Sequence, residues 1–197
     1  MLLDEADFIA WLAKGEIGAF PTDTLPALAA LPQSAHRLWQ LKQRPADKPL
    51  ILMAASQEEL LACLGQQAPP DMPMGVARHW PGALTLVLPA RGEVAQALNP
   101  GGQSLGLRIP NCERSLALLR RSGPLATTSV NLSGEPACMS PEEIQAQFPD
   151  LRMLAPLPWP QCSGLASTVV AWQAGAMEPG WRVLRQGSVP FINGEWH

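Results

Sequence analysis

The sequence has no tyrosine among its 197 residues, and charged residues make up only 16% of it. An ordinary soluble domain is about one quarter charged, so each charge here is worth locating individually. The net charge of −3 argues against a globally basic surface, leaving only a local groove for any nucleic acid. Cys63, Cys112, Cys138 and Cys162 are widely spaced with no C-x-x-C, which argues against zinc and against a disulfide framework. His36, His79 and His197 make no metal-ligand spacing either, so no protein metal site is expected.

No apolar run approaches the ~18 residues a membrane span requires. The first residues, MLLDEADFIAWLAKGE, carry acids ahead of their apolar part, unlike a secretory leader. A cytoplasmic protein with no membrane partner is expected. The sequence also lacks G-x-x-x-x-G-K-[ST], G-x-G-x-x-G and G-x-S-x-G. A nucleotide would have to be held without the standard phosphate loops, and no nucleophile elbow is present.

What is present is a regular alternation of helix and strand signals, punctuated by 21 prolines. Asp4 caps a helix through Phe8, Ile9, Trp11 and Leu12 that stops at Gly15. Ile17 to Phe20 reads as a strand, and Ser34 as the cap of a helix carrying Leu38 and Leu41. Ser56-Gln57-Glu58-Glu59 is a capping box, and a further helix is expected to end at Arg78–Trp80. Asn111 is expected to cap a helix through Leu119, and Ser140-Pro141-Glu142-Glu143 starts another. Buried strands are predicted at 50–54, 84–88, 105–109, 125–128, 168–172 and 181–184. These elements predict one α/β domain over residues 1–197, with a twisted mixed parallel and antiparallel sheet covered by helices on both faces.

Four stretches could carry chemistry. Lys42 and Arg44, two apart in a segment read as extended, would point the same way toward a polyphosphate or small oxyanion. Solvated cations at a helix C-terminus are the plainer alternative. Arg108, inside the apolar LGLRI, needs a paired anion or a ligand unless it faces solvent. TTSVNLSG, 127–134, gathers Thr127, Thr128, Ser129, Asn131 and Ser133 at a strand end, either to cradle phosphate oxygens or simply as a turn. Pro21-Thr22-Asp23-Thr24 has the same ambiguity, and Ser167 with Thr168 opens a strand with two hydroxyls.

Taken in order, PTDT, LKQRPADKPLILMAA, WPGALTLVLPA, LGLRIP, TTSVNLSGEPA, STVV and VLRQG resemble the TsaC/YrdC-type family of threonylcarbamoyl-AMP synthases. The likeness runs from about Asp4 to Gly187, in the short form without an extra C-terminal domain. It implies a large concave cavity and a nucleotidyltransferase that makes threonylcarbamoyl-AMP and pyrophosphate from L-threonine, bicarbonate and ATP. That product serves t6A modification of A37 in tRNA. Mg²⁺ is expected on the ATP. The resemblance puts Lys42, Arg44, Arg108, Ser129, Asn131, Ser133 and Arg185 at the ATP and phosphates, with Lys42 and Arg44 catalytic. It puts Thr22, Thr24, Arg108 and Ser167 at the threonine, and adds Thr85 as a weaker match. Either cation of the pair is expected to be removable without loss of the fold. Possible partners are tRNA or double-stranded RNA and the proteins of t6A modification.

The sequence departs from the family after PTDT. Leu25-Pro26-Ala27-Leu28 stands where the family carries a small apolar residue, an aromatic and a glycine. This departure keeps a second reading open, a related ATP-binding protein with a different acceptor. A tRNA- or double-stranded-RNA-binding module without catalysis is a third.

Overall fold

The computed structural model describes residues 1–69, 78–173, 180–192 and 195–196. In chain order the elements are β1 (Leu2–Leu3), α1 (Glu5–Ala13), β2 (Gly18–Phe20), β3 (Ala27–Ala30), α2 (His36–Lys42), β4 (Ile51–Met53), α3 (Gln57–Ala62) and β5 (Leu84–Pro89). There follow α4 (Gly92–Leu98), β6 (Ser104–Arg108), α5 (Glu113–Ser122), β7 (Leu125–Ser129), α6 (Pro141–Gln147), β8 (Arg152–Leu154), β9 (Thr168–Gln173) and β10 (Gly180–Arg185). A short ribbon pairs β11 (Phe191–Ile192) with β12 (Glu195–Trp196). The other strands form one sheet in the order β1-β8-β2-β3-β7-β4-β6-β5-β9-β10. The sheet is mixed: β8–β2, β4–β6 and β5–β9 run parallel, whereas β2–β3, β3–β7 and β5–β6 run antiparallel.

Successive strand residues face opposite sides, so one strand feeds two cores. Ala19, Leu28, Leu52, Leu86, Leu107 and Ala126 pack with Leu38 and Trp39 of α2, Leu60 of α3, Leu98 of α4 and Ile144 of α6. Their neighbours Phe20, Ala27, Ala29, Met53 and Leu125 face the other way, onto Phe8 and Leu12 of α1 and Leu118 and Leu119 of α5. Helices therefore lie on both faces. Gly18 lets α1 approach the sheet closely, since a Cβ there would fall 2.4 Å from the Phe8 ring.

The second layer stops short. β5, β6 and β9 contribute Leu84, Leu86, Leu105, Leu107 and Val170 to the first core and nothing to the core under α1 and α5. Their opposite faces carry Thr85, Val87, Gly106, Arg108 and Val169, and these line a cavity of about 400 Å³. The strands LTLVL and LGLR thus read as buried in sequence because their leucines face the helices. The residues between the leucines form a cavity floor.

The caps at Asp4, Ser56 and Ser140 form as the sequence predicts, with the full capping box at Ser56–Glu59. Two predicted caps do not form. Ser34 closes a 3-10 turn (Pro32–Ser34), and α2 starts at His36 with no side-chain cap. α5 starts after Cys112, and the backbone N–H of Asn111 donates to Asp23 Oδ1 at 3.1 Å. The sequence reading did not anticipate β1, β3, α4, β8 or the β11–β12 ribbon. The helix expected to end at Arg78–Trp80 lies largely outside the described residues.

Candidate active site

Arg108 ends β6 with only 3% of its surface exposed, so its charge has to be met inside the protein. Its Nη2 donates to Asp23 Oδ1 at 2.7 Å, its Nη1 to Thr24 Oγ1 at 2.7 Å and its Nε to Gly82 O at 3.1 Å. Burial draws the guanidinium below its ordinary pKa, and Asp23 opposes that shift. The hydroxyl knot is what makes this possible. Thr22 Oγ1 donates to Leu25 O at 2.7 Å and accepts from the Thr24 N–H at 3.1 Å. This local closure turns Asp23 and Thr24 toward β6. Thr24 lines the cavity, whereas Thr22 does not and instead borders a second, proline-lined hollow.

The cation pair divides. Lys42 is the last residue of α2, and Gln43 after it takes the left-handed conformation (φ 49°, ψ 42°). That turn breaks the extended geometry expected from the sequence, so Lys42 and Arg44 do not share a direction. Lys42 is 1% exposed and outside the cavity lining. Its ammonium donates to Ser129 O at 2.6 Å, Asn131 O at 2.7 Å and Asn131 Oδ1 at 2.7 Å, which accounts for all three of its N–H groups. In return, Lys42 O accepts from the Ser133 N–H at 2.8 Å. Burial, with Arg44 nearby, lowers Lys42 from 10.5 to about 8.

The SVNLSG turn is closed on itself around that ammonium. Ser129 Oγ donates to Asn131 Oδ1 at 2.7 Å, and Asn131 Nδ2 donates to Leu132 O and Glu135 O. Ser129 borders the cavity, while Asn131 and Ser133 do not. Arg44 does line the cavity. One Nη2 bond, at 3.3 Å to Pro49 O, holds it, and its buried Nε has no partner. With one bond among its N–H groups, the Arg44 guanidinium keeps donors for an anion in the cavity.

A third arginine completes the rim. Arg185 follows a bulge in β10 and reaches back to Ser167 O, at 2.9 Å from Nη2, and to Ser167 Oγ at 3.2 Å. Ser167 Oγ in turn pairs with buried Thr85 Oγ1 at 2.8 Å. Thr168 points elsewhere, donating to Val189 O. Burial lowers the pKa of Arg44 and Arg185, and Arg185 lowers Arg44 and Arg108 further. Three like charges converge on one cavity, an arrangement that a polyanion would relieve.

The cavity therefore gathers Thr24, Arg44, Thr85, Arg108, Ser129, Ser167 and Arg185. Lys42, Asn131, Ser133 and Thr22 support it from behind. The sequence reading missed Asp23 as a site residue, although an arginine in an apolar strand asks for a buried acid and PTDT supplies one. Asn99 and Ser104 also line the cavity and gave no signal in the sequence. Among the described residues no group of three or more His, Cys, Asp or Glu side chains could hold a metal, and no helix is long and apolar enough to cross a membrane.

Comparison with known proteins gives this geometry a family. A protein named threonylcarbamoyl-AMP synthase from Klebsiella pneumoniae is 37% identical over 150 residues, covering 74% of this chain and 79% of that protein. One of the same name from Vibrio parahaemolyticus is 35% identical over 71% of this chain and 78% of its own length. The Pyrococcus abyssi protein of that name is 37% identical over 70% of this chain, which spans only 42% of that longer relative. The crystal structure of P. abyssi Sua5 complexed with L-threonine superposes with a TM-score of 0.84 at 29% identity, over 96% of this chain and 58% of that one. Escherichia coli YciO shares the fold, with a TM-score of 0.78 at 22% identity. The Sua5/YciO/YrdC family model, described as "Telomere recombination", matches residues 10–187, and the chain belongs to that family.

Proposed function

We propose that this protein is a threonylcarbamoyl-AMP synthase, a nucleotidyltransferase using L-threonine, bicarbonate and ATP. The observation that carries the reading is the convergence of Arg44, Arg108 and Arg185 on one cavity floored by an uncovered sheet face. Relatives of that name at 35% to 37% identity support it.

In this reading the threonine amine adds to bicarbonate and water leaves, giving a carbamate. A carbamate oxygen then attacks the α-phosphorus of ATP. The bond from that phosphorus to the bridging oxygen breaks, and pyrophosphate departs with the electron pair. The arginines neutralise charge that builds on the phosphates, so no protein nucleophile is needed. Arg44, with its uncommitted guanidinium donors, and Arg185 serve the phosphates. Arg108, Thr24 and Ser167 serve the acceptor. Lys42, with Ser129, Asn131 and Ser133, acts by shaping the turn beside them. Excluding water from the cavity during turnover would protect the labile mixed anhydride. Mg²⁺ would come with ATP, bound to its triphosphate oxygens.

Cytoplasmic location, delivery of the product to tRNA A37 and contact with t6A-modification proteins belong to the same proposal. Leu25 and Pro26 line the cavity beside Thr24, so the departure seen in sequence lies at the acceptor end. The deciding assay is pyrophosphate release from ATP and bicarbonate with L-threonine, L-serine or no amino acid. Threonine-dependent release is expected. Binding of ATP with release under none of these conditions would move the reading to a related protein with another acceptor. Salt-sensitive tRNA binding without any turnover would favour an RNA-binding module.

A further inference from the structure

Of the two buried cations among the described residues, Lys42 and Arg108, only Arg108 lines the cavity. Three of its five N–H groups are held from three sides: by Gly82 O, Thr24 Oγ1 and Asp23 Oδ1. Two remain for a ligand. Gly82 O is a backbone carbonyl just before β5 and Thr24 Oγ1 is the hydroxyl that ends PTDT, so each of these two contacts is neutral. Asp23 alone supplies charge, and its carboxylate is not part of the cavity wall. The acid therefore touches the arginine without reaching the space where substrate would sit.

Asp23 is itself fixed. Its Oδ1 also accepts from the Asn111 N–H at 3.1 Å, and its backbone oxygen accepts from the Ser163 N–H at 3.0 Å. Gly164 N–H does the same to Thr24 O at 3.0 Å. Ser163 and Gly164 belong to the connection between β8 and β9, which stand second and ninth in the sheet order. Seven strand spacings amount to about 34 Å along the sheet. The connection has a maximum reach of about 50 Å, long enough to cross the sheet end as a strap that bends at residues 155–158 and 164–165. The strap is tied to PTDT toward its far end, at Ser163 and Gly164, and leads to Ala166 and Ser167 in the cavity wall.

We propose that Asp23 is a positioning residue that locks the plane of the Arg108 guanidinium, so that the two remaining N–H groups meet an anionic oxygen of the bound acceptor in one orientation. The strap keeps Asp23 in register with β6. This role rests on the proposed function for the identity of the acceptor, but the locking itself does not.

Two readouts separate the two ideas. The first is the ¹⁵N spectrum of the Arg108 Nη groups in the intact protein: hindered rotation gives separate Nη signals, and Asp23→Asn should merge them. The second is the KM for L-threonine in the pyrophosphate assay. Asp23→Asn should raise it about ten- to a hundredfold, the size of one lost charge-assisted hydrogen bond, with a smaller change in kcat. The same change made in an Arg108→Ala background should add nothing. If Asp23→Asn does not fold, Asp23→Glu keeps the charge but lengthens the arm, and a smaller KM rise is expected. Separate Nη signals surviving in Asp23→Asn, or an equal KM penalty with Arg108 already removed, would overturn the proposal. Absence of threonine turnover by the unaltered protein would overturn the function and leave the spectrum to decide the locking.

Discussion

Replacing Lys42 by methionine tests the reading of the cation pair most directly. Methionine keeps most of the apolar stem and removes the ammonium. Three bonds at 2.6 to 2.7 Å disappear, leaving Ser129 O and Asn131 O without that donor and Asn131 Oδ1 with only Ser129 Oγ. Bonds to a charged group are worth about 1.5–3 kcal/mol each. They do not add, and removing a buried charge also removes its desolvation penalty, so a net loss of about 2–4 kcal/mol is reasonable. For a domain of this size that lowers Tm by about 4–15 °C. Thermal unfolding followed by circular dichroism measures it, with pyrophosphate release measured alongside. A variant that melts with the unaltered protein but no longer turns over would refute the anchoring argument. Lys42 would then act on substrate directly, as the sequence alone suggested.

The other expectations follow from the same geometry. Arg44→Ala and Arg185→Ala, at the half-exposed rim, should raise the KM for ATP about ten- to a hundredfold with Tm shifted by no more than a few degrees. Gly106→Leu should keep the fold, because a Cβ there meets only ordinary contacts at 3.5 to 3.9 Å, yet block the cavity floor and abolish ATP binding by calorimetry. Turnover should fall above pH about 8, because a neutral Lys42 amine has two N–H groups for three oxygens. Lys42's own contribution to stability should not fall with it: between about 8 and 10.5 the unfolded chain holds the proton that the folded one has released, so this group makes unfolding harder as pH rises, which comparing the Tm profiles of the unaltered protein and Lys42→Met would check.

Much of the fold was legible because its signals are local. The capping box at Ser56–Glu59 and the Ser140-Pro141 start need only neighbouring residues to form. β3 was invisible for the opposite reason. Ala27–Ala30 has neither β-branched side chains nor polar alternation, and it is a strand because β2 and β7 pair with it on both sides. α4 begins on a glycine and has no side-chain cap, so nothing in its seven residues announces it. Ser34 and Asn111 were suitable caps by type, but the N-caps of α2 and α5 fall one residue later, at Ala35 and Cys112.

The site shows where residue-by-residue reading stops. Arg108 in an apolar strand correctly demanded a partner, and PTDT held one, but only the fold brings residues 23 and 108 within 2.7 Å. Lys42 and Arg44 misled for a stereochemical reason. The rule that residues two apart share a side holds for extended backbone, and one left-handed residue, Gln43, cancels it. The two cations then divide the work that a simple pair would have shared. Arg44 lines the cavity with most of its donors uncommitted. Lys42 spans from α2 to the turn after β7 and fixes Ser129 at the cavity edge. A motif can therefore depend on both residues while only one of them lines the cavity. Loss of activity on substitution would not tell these roles apart. The Tm and KM of each variant, measured together, would.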